Sequence, residues 1–175
     1  MTVGQYTRRS KPGDDFGTPE NVCDLLYELW DGIPDLDPCT GPTAIFQAKE
    51  MWSVGGLQRQ WFNERRRTAF VNMPYSRLAP WMRKCFVEAH SAECPSMPEL
   101  IALPPASTSA GWWKEYASTA DAVVFTKRLN FIGSATGGLQ SGNARFHSAL
   151  IYFGPRPARF GRVMEPITTW FAKSA

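Results

Sequence analysis

Residues 69–75 read Ala69-Phe70-Val71-Asn72-Met73-Pro74-Tyr75, an apolar run that leads directly into an amide, a proline and an aromatic ring. The run predicts a buried strand that ends at Asn72. Open α/β sheets hold their ligands at the carboxyl ends of their strands. An amide beside an aromatic ring can bind a planar base, because the amide can hydrogen-bond its exocyclic amine and the ring can stack on its π-face. We therefore expect a base-binding site at this edge of a sheet.

Helical and strand patterns alternate on both sides of this strand. Thr18-Pro19 predicts a helix start with Thr18 as the N-cap, and apolar residues at helical spacing follow until Gly32. Further helices are expected over residues 80–89 and 107–116, and further strands over residues 33–36, 100–103, 122–125 and 148–153, with residues 129–132 either extending the strand at 122–125 or following it. The alternation predicts an α/β fold with a mostly parallel central sheet. The last two strands are joined without a helix, so we expect them to pair antiparallel.

Length and composition indicate an ordinary globular domain. The 175 residues carry a net charge of +3, which permits contact with a polyanion but does not demand it. We expect a flexible arm over residues 1–15, one compact domain over residues 16–155 and a Pro/Arg-containing tail over residues 156–175. No secretory or membrane-spanning stretch is evident, so the expected location is cytoplasmic, without membrane contact. The four cysteines form no Cys-x-x-Cys pair, so no metal site is expected.

A second segment with binding chemistry is Asp37-Pro38-Cys39-Thr40-Gly41, which follows the predicted strand at residues 33–36. An acid at a strand end, then a tight turn and a glycine, lets backbone approach a ligand and offers a carboxylate to a cation or a hydroxyl. S-adenosylmethionine carries an ammonium, a sulfonium and a ribose, so it suits such an edge. An Asx-type turn without a ligand is the alternative interpretation.

Several stretches in series resemble the phage-type Dam family of DNA N6-adenine methyltransferases. Asn72-Met73-Pro74-Tyr75 is similar to the Asn/Asp-Pro-Pro-Tyr signature of amino-group methyltransferases, with Met73 in place of the first proline. The cofactor loop departs from the family pattern at Pro42 and Thr43, where a second glycine is missing. The other matching stretches are Thr18-Pro19, Leu36-Asp37-Pro38, Gly56-Leu57 with Trp61, Pro105-Ala106-Ser107-Thr108 with Trp112 or Trp113, Arg128-Leu129-Asn130-Phe131-Ile132-Gly133 and Ser148-Ala149-Leu150-Ile151-Tyr152-Phe153-Gly154.

The resemblance implies a Rossmann-like class I methyltransferase that moves a methyl group from S-adenosylmethionine to the N6 of a flipped adenine. The oxygen of Asn72 and a carbonyl of Met73 or Pro74 would accept the two N–H protons of the amine, while Tyr75 would stack on the base. No metal is required. The residues implied for cofactor binding are Phe16, Thr18, Pro19, Asp37, Pro38, Cys39, Gly41 and Asn72.

The expected partner is double-stranded DNA, and the oligomeric state, monomer or homodimer, is left open. The basic residues expected to contact DNA around the catalytic edge are Arg65, Arg66, Arg67, Arg77, Lys127, Arg128 and Arg145, with Arg156, Arg159 and Arg162 from the tail. The loop at residues 133–145 is expected to contact bases, and His147 is either a DNA contact or a structural residue. The alternatives left open are N4-cytosine or RNA methylation and a non-catalytic nucleic-acid-binding relative.

Overall fold

The computed structural model describes residues 16–91, 97–135, 138–139 and 147–173. The helices are α1 (Glu20–Trp30), α2 (Leu78–Ala89), α3 (Gly111–Glu115) and α4 (Pro157–Val163). The strands are β1 (Phe16–Gly17), β2 (Leu36–Asp37), β3 (Glu50–Met51), β4 (Thr68–Val71), β5 (Glu99–Ala102), β6 (Ala122–Thr126), β7 (Ile132–Ala135), β8 (Gly138–Leu139), β9 (Ala149–Phe153) and β10 (Thr168–Lys173). None of these helices is long and apolar enough to cross a membrane.

Seven strands form the central sheet, in the order β10-β6-β9-β5-β4-β2-β3. The pairings β2–β3, β2–β4 and β4–β5 are parallel, whereas β5–β9, β9–β6 and β6–β10 are antiparallel. The antiparallel pairing of β6 with β9 is as expected. A mostly parallel sheet is not confirmed, because β9 and β10 both run against their neighbours and leave a mixed sheet with one parallel half.

The core lies on both faces of this sheet. On one face, Leu26 of α1 and Phe160 of α4 pack against Leu150 of β9. On the other face, Met82 of α2 packs in a cluster with Ile151 of β9. Adjacent residues of one strand thus point into opposite helix layers, and all five residues of β9 are buried. A sheet covered on both faces exposes only its edges, so ligands must approach there.

The local expectations hold in part. The strand expected before Asn72 is confirmed as β4. Thr18 is not the N-cap of the first helix, because α1 begins at Glu20 behind Pro19 and has no side-chain cap hydrogen bond. Residues 156–173, expected to be tail, contain α4 and the edge strand β10. The sequence did not predict α4, because the prolines and arginines around it are typical of a loop, whereas the helix packs into the core through the buried Phe160.

Strands β2, β4, β5 and β6 all point the same way, since β9 is antiparallel to both β5 and β6. Their carboxyl ends therefore share one edge of the sheet, which we call the carboxyl edge; the opposite one is the amino edge. Asp37 ends β2 and Asn72 follows β4 at the carboxyl edge. Strand β1 pairs with β7 in a second, smaller sheet, which brings Phe16 beside Asn72.

Candidate active site

A cleft at the carboxyl edge joins the segments that the sequence analysis singled out. Its volume is about 410 Å³, including space open to solvent. Six of the eight expected cofactor residues line it, and Pro19 and Pro38 do not. The full lining is Phe16, Gly17, Thr18, Asp37, Cys39, Gly41, Thr43, Ala44, Phe46, Phe70, Asn72 and Pro74. The sequence thus predicted the polar wall, whereas Thr43, Ala44, Phe46 and Phe70 had no signal beyond ordinary core or loop composition.

The loop after β2 is held by the Asp37 side chain and by backbone hydrogen bonds to Trp52. The N–H of Cys39 donates to Asp37 Oδ1 over 2.9 Å, which is the Asx turn left as an alternative. The Trp52 N–H donates to the Asp37 carbonyl over 2.8 Å, and the Thr40 N–H donates to the Trp52 carbonyl over 3.1 Å. Asp37 is only 6% exposed, yet it lines the cleft. The turn therefore fixes a buried carboxylate in the cleft wall.

Two glycines allow close packing around this loop. A Cβ on Gly17 would lie 2.3 Å from the carbonyl oxygen of Thr43, so β1 can touch the loop only because Gly17 has no side chain. A Cβ on Gly56 would lie 1.9 Å from the carbonyl oxygen of Pro38. The indole N–H of the buried Trp61 donates to the Gly56 carbonyl over 2.6 Å. Gly56 and Trp61, one of the stretches that resemble the family, therefore support the loop at Pro38. Their spacing in the sequence did not predict this contact.

Asn72 lies in the cleft wall with its amide orientation defined by hydrogen bonds. Its Nδ2 donates to the Phe16 carbonyl over 2.8 Å and to Thr18 Oγ1 over 3.1 Å. A carbonyl oxygen can only accept, so the nitrogen of the Asn72 amide must face Phe16. The amide oxygen therefore lies on the other side, where it can accept hydrogen bonds.

The next two residues divide their roles between core and cleft. Met73 is 1% exposed and packs in a core cluster with Trp81, whereas Pro74 lines the cleft. The Pro74 carbonyl accepts the Arg77 N–H over 3.0 Å in a short 3₁₀ turn. Among the described residues, no backbone hydrogen bond engages the Met73 carbonyl. Of the two candidate main-chain acceptors, only that of Pro74 belongs to a residue that lines the cleft.

Tyr75 belongs to a group of aromatic rings beside Asn72. Its ring meets Phe131 edge-on, with the centroids 6.2 Å apart and the planes at 84°. Phe131 in turn meets Phe16 at 6.3 Å. Burial raises the pKa of Tyr75, and the hydroxyl of Ser148 only partly opposes this rise. Tyr75 is therefore a neutral aromatic group at physiological pH and offers no base for proton transfer.

The predicted basic residues do not all lie at the carboxyl edge. Arg77 follows Asn72, and Lys127 and Arg128 follow β6, so these three exposed residues lie at the carboxyl edge. Residues 65–67 instead precede β4, whose four residues separate them from Asn72 by about 3.3 Å each. The expectation that this run surrounds the catalytic edge is wrong, because it joins the amino edge. Arg145 lies outside the described residues.

The basic residues at the amino edge have structural partners. Arg66 donates to both carboxylate oxygens of Glu50 over 3.1 Å and to the Trp61 carbonyl over 2.8 Å. Arg156 donates its Nε to Glu99 over 2.8 Å, and Arg159 pairs with Asp31 at 2.8 Å. Their charges reflect ion pairing within the fold, which sequence alone does not separate from phosphate contacts. Within the described ranges, no three His, Cys, Asp or Glu side chains cluster as metal ligands.

Comparison with known proteins agrees with this arrangement. A family model described as DNA N-6-adenine-methyltransferase (Dam) matches residues 7–161, which is well over half of the chain. No curated protein and no solved structure matches. The matched range contains all the segments that form the cleft. The chain therefore belongs to the Dam family of DNA N-6-adenine-methyltransferases.

Proposed function

We propose that the cleft at the carboxyl edge is where this DNA N6-adenine methyltransferase binds S-adenosylmethionine and an adenine flipped out of DNA. The observation that carries the proposal is the meeting of Asp37 and Asn72 in one cleft, although 34 residues of chain lie between them. Each stands at the carboxyl end of its own parallel strand. Ligands of open α/β sheets bind at such ends.

The cleft fits the cofactor in its chemistry. The buried carboxylate of Asp37 suits a cationic group or a ribose hydroxyl, and Phe46 and Phe70 supply apolar wall for a purine. When bound, S-adenosylmethionine supplies a methyl group on a sulfonium, which is a strong electrophile. The chain then has to bind and align the reactants rather than provide a strong base.

The residues after β4 supply what the target amine needs. The lone pair of adenine N6 is delocalised into the ring, so acceptors for its two N–H protons would make it more nucleophilic. The oxygen of Asn72 is one acceptor, because its Nδ2 already donates to Phe16 and Thr18. A main-chain carbonyl of Met73 or Pro74 is the second. Stacking of the base on Tyr75 would contribute about 1–3 kcal/mol.

The buried position of Met73 bears on whether the altered signature still supports catalysis. Its side chain fills the core and does not line the cleft, so the exchange for proline changes no side-chain surface facing the reactants. Pro74 keeps its place in the cleft wall. We therefore propose that this signature remains catalytically competent, and a non-catalytic binder is not favoured.

DNA contact is assigned to the basic residues that flank the cleft. Extruding a base costs a few kcal/mol, which contacts with phosphates must offset. Arg77, Lys127 and Arg128 are exposed at the carboxyl edge and are our candidates. Lys127 also donates to the Pro166 carbonyl over 3.0 Å, which holds its ammonium near the edge. Double-stranded DNA as the form bound, the cytoplasmic location and a bacteriophage origin stay predictions.

The cofactor half of this proposal is tested by calorimetric titration of S-adenosylmethionine into wild type and Asp37→Ala. Loss of the buried carboxylate is expected to weaken binding by tenfold or more, because charged hydrogen-bonding groups contribute about 1.5–3 kcal/mol. Asp24→Ala is the matched control, since Asp24 is exposed on α1 and outside the cleft. Equal affinity of Asp37→Ala and wild type would remove Asp37 from the cofactor site.

A further inference from the structure

We infer that Thr18 is a positioning residue for methyl transfer, which holds the Asn72 amide with its oxygen toward the target amine. The inference rests on the proposed function, because it takes Asn72 as the acceptor for adenine N6. Thr18 Oγ1 accepts one N–H of the Asn72 amide over 3.1 Å, across 54 residues of sequence. Thr18 is only 3% exposed, so water does not readily replace this contact.

The two acceptors match the two protons of the amide nitrogen. The Phe16 carbonyl, at 2.8 Å, decides which end of the amide faces β1, because a flipped amide would set two carbonyl oxygens against each other. Thr18 takes the second proton and so fixes the plane of the amide. With both N–H groups engaged, the amide nitrogen cannot donate to the adenine amine. An N–H of Asn72 that pointed at the adenine N6 amine would oppose its binding, because both groups are donors.

Thr18 is itself held rigidly. It lies between β1 and α1, and its carbonyl accepts a hydrogen bond from Cys23 Sγ over 3.8 Å. The preceding Gly17 pairs with Ile132 of β7 and packs against Thr43. The following Pro19 opens α1, and its carbonyl accepts the first two N–H bonds of that helix. The hydroxyl therefore has a fixed position from which to hold Asn72.

A helix-capping role does not account for the Thr18 hydroxyl, since α1 has no side-chain cap hydrogen bond. A second role to be separated is direct contact with the cofactor, because Thr18 also lines the cleft. The two roles predict different kinetics. A positioning residue changes the rate of transfer in the bound complex, whereas a cofactor contact changes affinity for S-adenosylmethionine.

The test compares Thr18→Val, which keeps the shape but removes the acceptor, with Thr18→Ser, which keeps the acceptor. Single-turnover methyl transfer is measured with both substrates saturating, alongside the Kd for S-adenosylmethionine and the Tm. The rate of Thr18→Val is expected to fall roughly three- to tenfold, as for loss of one hydrogen bond, with Kd unchanged. Thr18→Ser is expected to recover most of the rate. Weaker cofactor binding with an unchanged rate would overturn the inference.

A second readout reports on the amide directly. The side-chain ¹H–¹⁵N resonances of Asn72, assigned by comparison with Asn72→Ala, are expected to shift in Thr18→Val and to return in Thr18→Ser. Unmoved resonances would contradict the hydrogen bond even if activity changed. In the Asn72→Ala background, adding Thr18→Val is expected to have no further effect on transfer.

The proposed role of Asn72 and the positioning role of Thr18 can be tested separately. If Asn72→Ala loses transfer while Thr18→Val keeps the full rate, the proposed site stands and the positioning role is wrong. If Asn72→Ala itself transfers at the wild-type rate, the proposed function of the cleft fails, and the role of Thr18 fails with it.

Discussion

The two edges of one sheet use polar residues in opposite ways. At the amino edge, Asp35 and Glu99 are each surrounded by donors from neighbouring elements. At the carboxyl edge, Asp37 and Asn72 are positioned by backbone groups of the loops around them and line a cleft. Both edges are mostly buried, so burial and charge alone do not distinguish them. What distinguishes the carboxyl edge is that Asp37 and Asn72 line a cleft there.

The amino edge illustrates the structural case. Glu99 begins β5 and is 6% exposed; its carboxylate accepts hydrogen bonds from the hydroxyl of Tyr152 and from the Nε and Nη2 of Arg156. Arg156 also donates to the Leu29 carbonyl at the end of α1. Burial, together with the bond to Glu99, raises the pKa of Tyr152. This network ties α1, β5, β9 and the start of α4 together, and it offers nothing to a ligand.

The largest effect expected from this comparison is on stability, at the amino edge. Glu99→Ala leaves the buried Tyr152 hydroxyl and the partly exposed Arg156 without this acceptor, and leaving a buried donor unpaired costs about 1–3 kcal/mol. Urea denaturation is expected to show a loss of this order in the free energy of unfolding. Affinity for S-adenosylmethionine under folding conditions is expected to stay close to wild type.

Glu64→Ala is the control for that experiment, because Glu64 is exposed in the loop before β4. Its free energy of unfolding is expected to stay within about 0.5 kcal/mol of wild type, as for most surface changes. A folded Glu99→Ala protein of normal stability that no longer binds cofactor would contradict the assignment of Glu99 to structure rather than to ligand binding.

A smaller effect concerns DNA binding, and it compares one arginine at each edge. Arg128→Gln at the carboxyl edge is expected to reduce the slope of log K against log salt by about 1, as for loss of one phosphate contact. Arg65→Gln is the matched variant at the amino edge and is expected to leave the slope unchanged. The slopes are measured by fluorescence anisotropy with a labelled duplex. A larger change for Arg65→Gln would place the DNA path over the amino edge.

The smallest effect is a dependence of stability on acid at Asp35. Burial alone would raise the pKa of Asp35, but hydrogen bonds from Lys49 and from the N–H groups of Arg67 and Thr68 outweigh burial and lower it. A lowered pKa in the folded state stabilises the fold above the ordinary pKa of aspartate, about 3.9, and this contribution is lost as pH falls through the folded value. Asp35→Asn is expected to unfold more easily at pH 7 and to lose less stability below about pH 4. Chemical denaturation across pH measures both; an unchanged acid slope would contradict this account.

The sequence predicted which polar residues meet at the cleft better than it predicted the sheet around them. Asp37 and Asn72 were predictable because each follows an apolar run, and the carboxyl ends of parallel strands meet at one edge. The antiparallel pairing of β9 with β6 was predictable from the helix-free connection, but the antiparallel pairing of β9 with β5 was not, since an apolar run such as residues 149–153 has the same pattern in a parallel or an antiparallel pairing. The close packing of Gly56 against Pro38 is a contact between two separate segments of the chain, which sequence periodicity does not predict.

Two residues show why role is harder to predict than location. Thr18 was expected to cap a helix, and a helix start indeed follows, but its hydroxyl points to Asn72 instead. Arg66 was expected to contact DNA with its neighbours, which stays a prediction; in the structure its guanidinium donates to Glu50 and to two backbone carbonyls. In both cases the partner lies on another segment of the chain, so no local pattern carries the information.

The most direct test of the account is tritium transfer from labelled S-adenosylmethionine to unmethylated DNA by wild type and Asn72→Ala, followed by nucleoside analysis. Wild type is expected to place label in N6-methyladenosine. Asn72→Ala is expected to lose at least a hundredfold in rate, the order observed for removing one catalytic hydrogen-bonding group, while its cofactor affinity stays within a few fold. Transfer by a folded Asn72→Ala protein at the wild-type rate would show that the reaction does not depend on this edge of the sheet.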